Sequence, residues 1–126
     1  MKQNLDCIRD ILLLAEEHTG FDDDLSQKTL SLEKIFELLP NYSKGDIANS
    51  FKLLYNGNYV RAMVAPGDDN PFYIAIIHNL TENGYQFLDS IREQSKWDKI
   101  KKTMIEKAIP FVLSKAVDVA VSKFSS

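Results

Sequence analysis

Hydrophobic positions recur every three to four residues in the first part of the chain, a spacing that predicts amphipathic helices. The segment NLDCIRDILLLAEE (4–17) is the first, and we expect Asn4 to cap it. Its apolar face comprises Leu5, Ile8, Leu12 and Ala15, widened by Ile11 and Leu14. The acidic, glycine-containing stretch HTGFDDDLSQ (18–27) then interrupts the pattern, and we expect it to form a loop.

Two short helices follow in close succession. LEKIFELL (32–39) is predicted to begin after Ser31, and KGDIANSFKLLYN (44–56) after Ser43, because serine is a favoured N-cap. Gly57 is predicted to end the second helix in the left-handed conformation. Two short helices joined by a tight turn indicate a helix-turn-helix.

The next apolar runs alternate as strands do. YVRAMVA (59–65) and PFYIAIIHN (71–79) flank the turn PGDD (66–69), a pattern that predicts a hairpin. Thr81 is expected to cap a fourth helix. A helix-turn-helix followed by a two-stranded ribbon predicts an α+β fold, mostly α, of the winged helix-turn-helix type.

The remaining chain is expected to be helical. Ser95 is expected to cap a long fifth helix that runs through Phe124, broken or kinked at Pro110. The expected division is a winged-helix domain at 1–95 and a C-terminal helical extension at 96–126.

The extension carries an apolar surface that needs a partner. Its members include Phe111, Val112, Val119 and Phe124. Packing onto the chain's own domain and formation of a homodimer explain this surface equally well at this stage. Attachment to a membrane surface fits less well, because the polar face of the segment is not strongly cationic.

Composition narrows the classes of function. The chain has 126 residues, a net charge of −3 and one cysteine, Cys7, which excludes an intrachain disulfide framework. His18 and His78 lack a metal-ligand spacing, and no phosphate-binding loop or catalytic triad can be recognised. We therefore expect no enzymatic activity and no cofactor. Without an apolar signal segment or a membrane span, the expected location is cytoplasmic.

Three stretches also resemble a known family: NLDCIRDILLLAEE, LLYNGNYVRA and, above all, LTENGYQFLDSIREQSKW (80–97). They are similar to the small phage and prophage proteins of the domain-of-unknown-function family 2513, and to YjcQ-like prophage proteins. The resemblance implies a winged-helix fold and a phage origin. It implies no catalytic residues.

The predicted helix 44–56 is the candidate for reading DNA. Its inward side is expected to comprise Ile47, Phe51, Leu54 and Tyr55, and its outward side Gly45, Asn49, Lys52 and Asn56. Asparagine can bond adenine at two points, and lysine can reach guanine or phosphate. Lys44 lies where helix amides also favour phosphate, and Arg61 is expected to touch phosphate from the wing.

Charge favours a second hypothesis. Only 31–65 and 95–126 are net positive, whereas Asp68 and Asp69 occupy the expected wing tip and would repel a DNA backbone. The preferred interpretation is a regulatory or accessory protein that binds double-stranded DNA. The alternative is a protein-interaction module, such as a phage-encoded inhibitor or adaptor of a host protein, that uses Asp68, Asp69 and the acidic loop at 18–24.

Overall fold

The computed structural model describes residues 2–124, except for the side chain of Phe124. This part of the chain has an α+β fold that is mostly helical. The helices are α1 Leu5–His18, α2 Leu32–Leu38, α3 Lys44–Asn56, α4 Glu82–Ile91, α5 Gln94–Glu106 and α6 Leu113–Phe124. The strands are β1 Gly20–Phe21, β2 Gln27–Lys28, β3 Leu30–Ser31, β4 Val60–Ala65 and β5 Ile74–Leu80.

The five strands form two antiparallel sheets. A three-stranded sheet has the order β3-β5-β4, with the predicted hairpin β4–β5 as its main part. Its register shifts after Arg61, which lies opposite Asn79, because Ala62 lies opposite Ile77 and leaves His78 as an extra residue. The predicted loop 18–27 is more ordered than expected, since β1 and β2 pair across it.

Four of the five predicted helix caps, all but Ser95, are confirmed. In each, a side-chain oxygen accepts a hydrogen bond from the amide three residues further on, which satisfies an otherwise unpaired donor. The pairs are Asn4–Cys7 at 3.1 Å, Ser31–Lys34 at 3.1 Å, Ser43–Asp46 at 3.0 Å and Thr81–Gly84 at 3.1 Å.

The predicted left-handed cap at Gly57 is wrong by one residue. Gly57 has a φ of −81°, whereas Asn58 has a φ of 63°. The amide of Tyr59 donates to the Leu54 carbonyl at 2.9 Å, and that of Asn58 to the Tyr55 carbonyl at 3.2 Å. These two bonds form a Schellman motif, and asparagine tolerates the left-handed position that the motif requires.

The core lies where α1, α3, α4 and α5 meet the inner face of the larger sheet. Its largest fully buried side chains are Trp97, Phe51 and Phe87. Arg9 is buried among them and donates to the carbonyls of Ile91 at 2.9 Å and Arg92 at 2.8 Å. This arginine satisfies carbonyls at the end of α4, and so joins α1 to the α4–α5 junction.

The C-terminal extension is broken near Pro110, as predicted, and forms the two helices α5 and α6. The predicted cap Ser95 is wrong by two residues: α5 begins at Gln94, and its N-cap Glu93 makes no side-chain capping bond. The break spans 107–112 and starts before Pro110, because a second Schellman motif ends α5: the amide of Ile109 donates to the Met104 carbonyl at 2.8 Å. Ala108 occupies the left-handed position, with a φ of 53°.

Both helices pack on the rest of the chain. The indole of Trp97 donates to Asp6 on α1 at 2.7 Å, and Lys101 pairs with the same carboxylate at 2.9 Å. Burial raises the pKa of Asp6, but the two hydrogen bonds outweigh that effect, and the pKa lies below its usual value. α6 contributes Leu113 and Ala116 to the core.

Candidate nucleic-acid interface

Helix α3 presents one face to the core and one to solvent. Ile47, Phe51 and Leu54 are buried as predicted, and α3 packs against α1. Tyr55, predicted to point inward, is instead 38% exposed, and its ring stacks on Phe51 with the centroids 6.0 Å apart. Tyr55 lies near the end of the helix, where the chain leaves the core.

The predicted outward face is exposed except at one residue. Gly45, Lys52 and Asn56 are exposed, while Asn49 is partly buried. At 1.5 Å per residue, the 13 residues of α3 extend for about 20 Å. A helix with its side chains is about 10–12 Å in diameter, so it fits the major groove of B-DNA, which is about 12 Å wide.

The cations of the interface are free of carboxylate partners. Lys44, Lys52 and Arg61 take part in none of the ion pairs among the described residues. The ammonium of Lys44 lies 5.5 Å from the centroid of the Phe36 ring, an arrangement that keeps it near the start of α3. Three cations at this surface are therefore available to an anion.

Arg61 and Asn56 line the same open cleft of about 880 Å³. It lies between the end of α3, strands β4 and β5 and the small β1–β2 hairpin. Asn79 also lines it, and the buried Oδ1 of that side chain has no hydrogen-bond partner among the described residues. Sequence reasoning missed Asn79, because only the pairing of β4 with β5 brings it opposite Arg61.

Lys44 lies apart from this cleft, on a second depression. That depression has a volume of about 650 Å³ and lies between the starts of α2 and α3 and the segment 70–76. Lys44 and Arg61 therefore mark two different ends of α3, with Asn49 and Lys52 on the helix between them.

The loop of the β4–β5 hairpin is acidic and locally ordered. Asp68 and Asp69 are exposed, and neither takes part in an ion pair among residues 2–124. The amide of Gly67 donates to the Asn70 carbonyl at 2.7 Å, and that of Phe72 to the Asn70 side chain at 2.9 Å. The two carboxylates thus stand on a fixed turn.

The predicted interaction residues of the extension are only partly available. Phe111 is 39% exposed, whereas Val112 and Val119 are partly buried. The side chain of Phe124 lies outside the described residues. Ile105, which was not predicted, is a further exposed apolar residue of the extension, at 71% on α5.

The described residues also bear on thiol reactivity, metal binding and membrane insertion. Burial raises the pKa of the Cys7 thiol, so the reactive thiolate is disfavoured. Within residues 2–124, no three histidine, cysteine or acidic side chains are grouped as metal ligands would be. No helix in that range has the length and apolar character needed to cross a bilayer.

The comparisons with known proteins identify a family without identifying an activity. Neither curated proteins nor solved structures give a significant match. The model of the family described as "Hypothetical protein (DUF2513)" matches residues 2–110, from the N-terminus through α5 to Pro110. Because the match covers most of the chain, the protein belongs to this domain-of-unknown-function family.

Proposed function

We propose that this protein is a winged-helix protein that binds double-stranded DNA through α3, as a regulatory or accessory factor without enzymatic activity. The order helix, strand, helix, helix, hairpin supports this assignment, as does the sheet order β3-β5-β4. A phage origin stays a prediction that rests on the family resemblance.

One observation carries the DNA-binding proposal: α3 combines an exposed polar face with cations that form no ion pair among residues 2–124. Lys52 and Asn56 stand on that face, and Lys44 lies at its first turn. Asparagine and lysine can contact base edges, and the lysines can also contact phosphates. Asn49 is partly buried, so Asn56 is the stronger candidate for direct contact with a base.

The charges limit the strength and geometry of the complex. The proposal assigns only three cations to the duplex, those of Lys44, Lys52 and Arg61. The carboxylates of Asp68 and Asp69 would repel its phosphates. We therefore propose that α3 and Arg61 contact the duplex while the hairpin tip points away from it. The expected affinity is modest and strongly dependent on salt.

Fluorescence anisotropy with a labelled mixed-sequence duplex tests this proposal. At low salt, we expect binding by the intact chain and an affinity about tenfold lower for the double variant Lys44→Gln/Lys52→Gln. Its matched control is Lys99→Gln/Lys102→Gln, which removes the same charge from α5 and should bind nearly as well as the unaltered chain.

Two results would contradict the proposal. One is the absence of binding at low salt. The other is an equal loss in the α3 and α5 variants, which would indicate a general charge effect and not a contact surface on α3.

A second function is favoured by the acidic hairpin tip. Asp68 and Asp69 are exposed, fixed and unpaired among the described residues, which suits recognition of a basic partner better than recognition of DNA. In this candidate function, the protein is an interaction module that binds a host protein.

A further inference from the structure

The cleft at the end of α3 has room for a ligand that the duplex contacts do not fill. Its volume of about 880 Å³ is within the range of natural ligand sites, and one nucleotide fits into it. The duplex contacts proposed above use only Arg61 and Asn56 of its lining. They leave its aromatic rings and most of its amide groups unused.

Two exposed aromatic rings line this cleft from different elements. Phe21 belongs to β1 and is 70% exposed, whereas Tyr55 belongs to α3 and is 38% exposed. The ring of Tyr55 lies nearly parallel to that of Phe51, with an angle of 11° between the two planes, and this contact fixes its orientation. Exposed aromatic rings with a fixed orientation are the surfaces on which proteins stack unpaired bases.

Carboxamide groups provide much of the polar lining. Gln27, Asn56 and Asn58 are exposed, and Asn79 is partly buried. A carboxamide offers both donors and an acceptor, which is what the edge of a base requires. The buried Oδ1 of Asn79 has no hydrogen-bond partner among the described residues, so water or a ligand has to supply the donor.

The charges at the cleft favour a phosphate. Arg61 is exposed and His78 partly buried in its lining, and no aspartate or glutamate of the described chain lines it. The carboxylate that follows Phe21 is that of Asp22, and the ammonium of Lys28 lies 4.0 Å from it and offsets its charge. A guanidinium beside aromatic rings therefore suits a ligand that joins a phosphate to a planar base.

The wall formed by the β1–β2 hairpin is positioned before any ligand binds. Phe21 pairs with Gln27 across the hairpin. The side-chain amide of Gln27 donates to the His78 carbonyl in a long hydrogen bond of 3.5 Å, which joins the hairpin to β5. Binding would thus need little ordering of the cleft, which lowers its free-energy cost.

We propose that this cleft binds one unpaired nucleotide of a DNA strand. The base stacks against Phe21 and Tyr55, the carboxamides bond its edge, and Arg61 contacts its phosphate. The inference rests on the proposed DNA-binding function and makes it more specific. The preferred substrate is a duplex with a single-stranded overhang, in which α3 contacts the paired part and the cleft holds a nucleotide of the overhang.

Anisotropy with matched DNAs tests this preference on the intact chain. The probes are a blunt duplex and two duplexes of the same sequence that carry a short overhang on the 3′ or the 5′ end. We expect one overhang duplex to bind about tenfold more tightly than the blunt duplex, as the stacking of one base predicts. Equal affinity for all three would overturn the inference and leave the duplex proposal intact, whereas absence of binding to any of them would overturn both.

A substitution at Phe21 then locates the stacking site. Phe21→Ala should lower the affinity for the preferred overhang duplex by about tenfold, to that of the blunt duplex. The matched control is Tyr85→Ala, which removes an aromatic ring that is 42% exposed on α4 and does not line the cleft. This control should retain the preference. An unchanged preference in Phe21→Ala, or an equal loss in both variants, would contradict stacking in the cleft.

NMR on the unaltered protein tests the same site without a substitution. The spectrum with the preferred overhang duplex is compared with the spectrum with the blunt duplex. The additional shifts should include the side-chain amide signals of Asn58 and Asn79 and the backbone amide of Phe21. Additional shifts that are absent, or that centre on α5, would overturn the inference.

Discussion

Gly84 lies where the first turn of α4 meets the junction between α3 and β4. A Cβ atom at this position would lie 2.0 Å from the carbonyl oxygen of Tyr59, closer than any real contact. Thr81 fixes the same junction, since its amide donates to the Tyr59 carbonyl at 3.1 Å and its hydroxyl to the Asn58 carbonyl at 2.7 Å. A glycine in the first turn of a helix is typical of such a close approach between two backbones.

Gly84→Ala should therefore lower the free energy of unfolding by about 3 kcal/mol, because the backbone of Tyr59 cannot move without disturbing α3. Urea denaturation measures the change. Asn83→Ala, at the exposed neighbouring position, is the control and should change stability by less than about 0.5 kcal/mol. Equal stability of the two variants would contradict the contact.

The reaction rate of the Cys7 thiol measures how well α1 is buried. Its side chain is fully buried, and burial raises the pKa of its thiol. At pH 7.5 we expect the native protein to react with a thiol reagent at least about a hundredfold more slowly than the protein in urea, because the thiolate is the reactive form. Similar rates in both states, followed by absorbance, would show that α1 opens readily.

At the level of elements, helix starts follow from the sequence more reliably than helix ends. Asn4, Ser31, Ser43 and Thr81 act on amides three residues away, so local sequence contains the necessary information. The end of α5 depends on Ala108, which adopts a left-handed conformation that alanine disfavours. No local sequence pattern predicts this helix end.

Ala108→Gly should stabilise the protein by about 1 kcal/mol, because glycine adopts the left-handed conformation without the steric cost of a Cβ atom. Asn58→Gly is the matched comparison, since asparagine already tolerates this conformation and the expected gain is smaller. Thermal denaturation compares the stability of these two variants. A loss of stability in Ala108→Gly would show that α5 ends differently.

Contacts between distant parts of the chain could not be predicted from the sequence. Arg9 lies on an otherwise apolar helix face, but its acceptors lie more than 80 residues away. The depression at the starts of α2 and α3 likewise combines Leu32 of α2, Ala48 of α3 and Phe72 of the hairpin loop. The outward face of α3 was predictable because helical periodicity alone determines it.

At the level of the whole molecule, the C-terminal extension uses much of its apolar surface internally. Trp97, Leu113 and Ala116 are buried against the rest of the chain. What remains exposed is Ile105, at 71%, and Phe111, at 39%, on either side of the connection between α5 and α6. The predicted homodimer now depends on these two exposed side chains.

We expect the intact chain to be a dimer by light scattering and Ile105→Lys/Phe111→Ser to be a monomer, because the new polar groups would be buried without partners. This variant leaves the packing of α6 intact, which truncation would not. Phe21→Ser, at an aromatic position that is 70% exposed, is the control and should remain dimeric. A monomeric intact chain would rule the homodimer out.

The central claim is that α3 binds duplex DNA through a few phosphate contacts. The salt dependence of the binding constant measures these contacts directly. For Lys44, Lys52 and Arg61 together, we expect log K to fall with log salt at a slope of about −3, and the Lys44→Gln/Lys52→Gln variant to reduce that slope by about two. Absence of binding at low salt, or an unchanged slope in the variant, would contradict the claim.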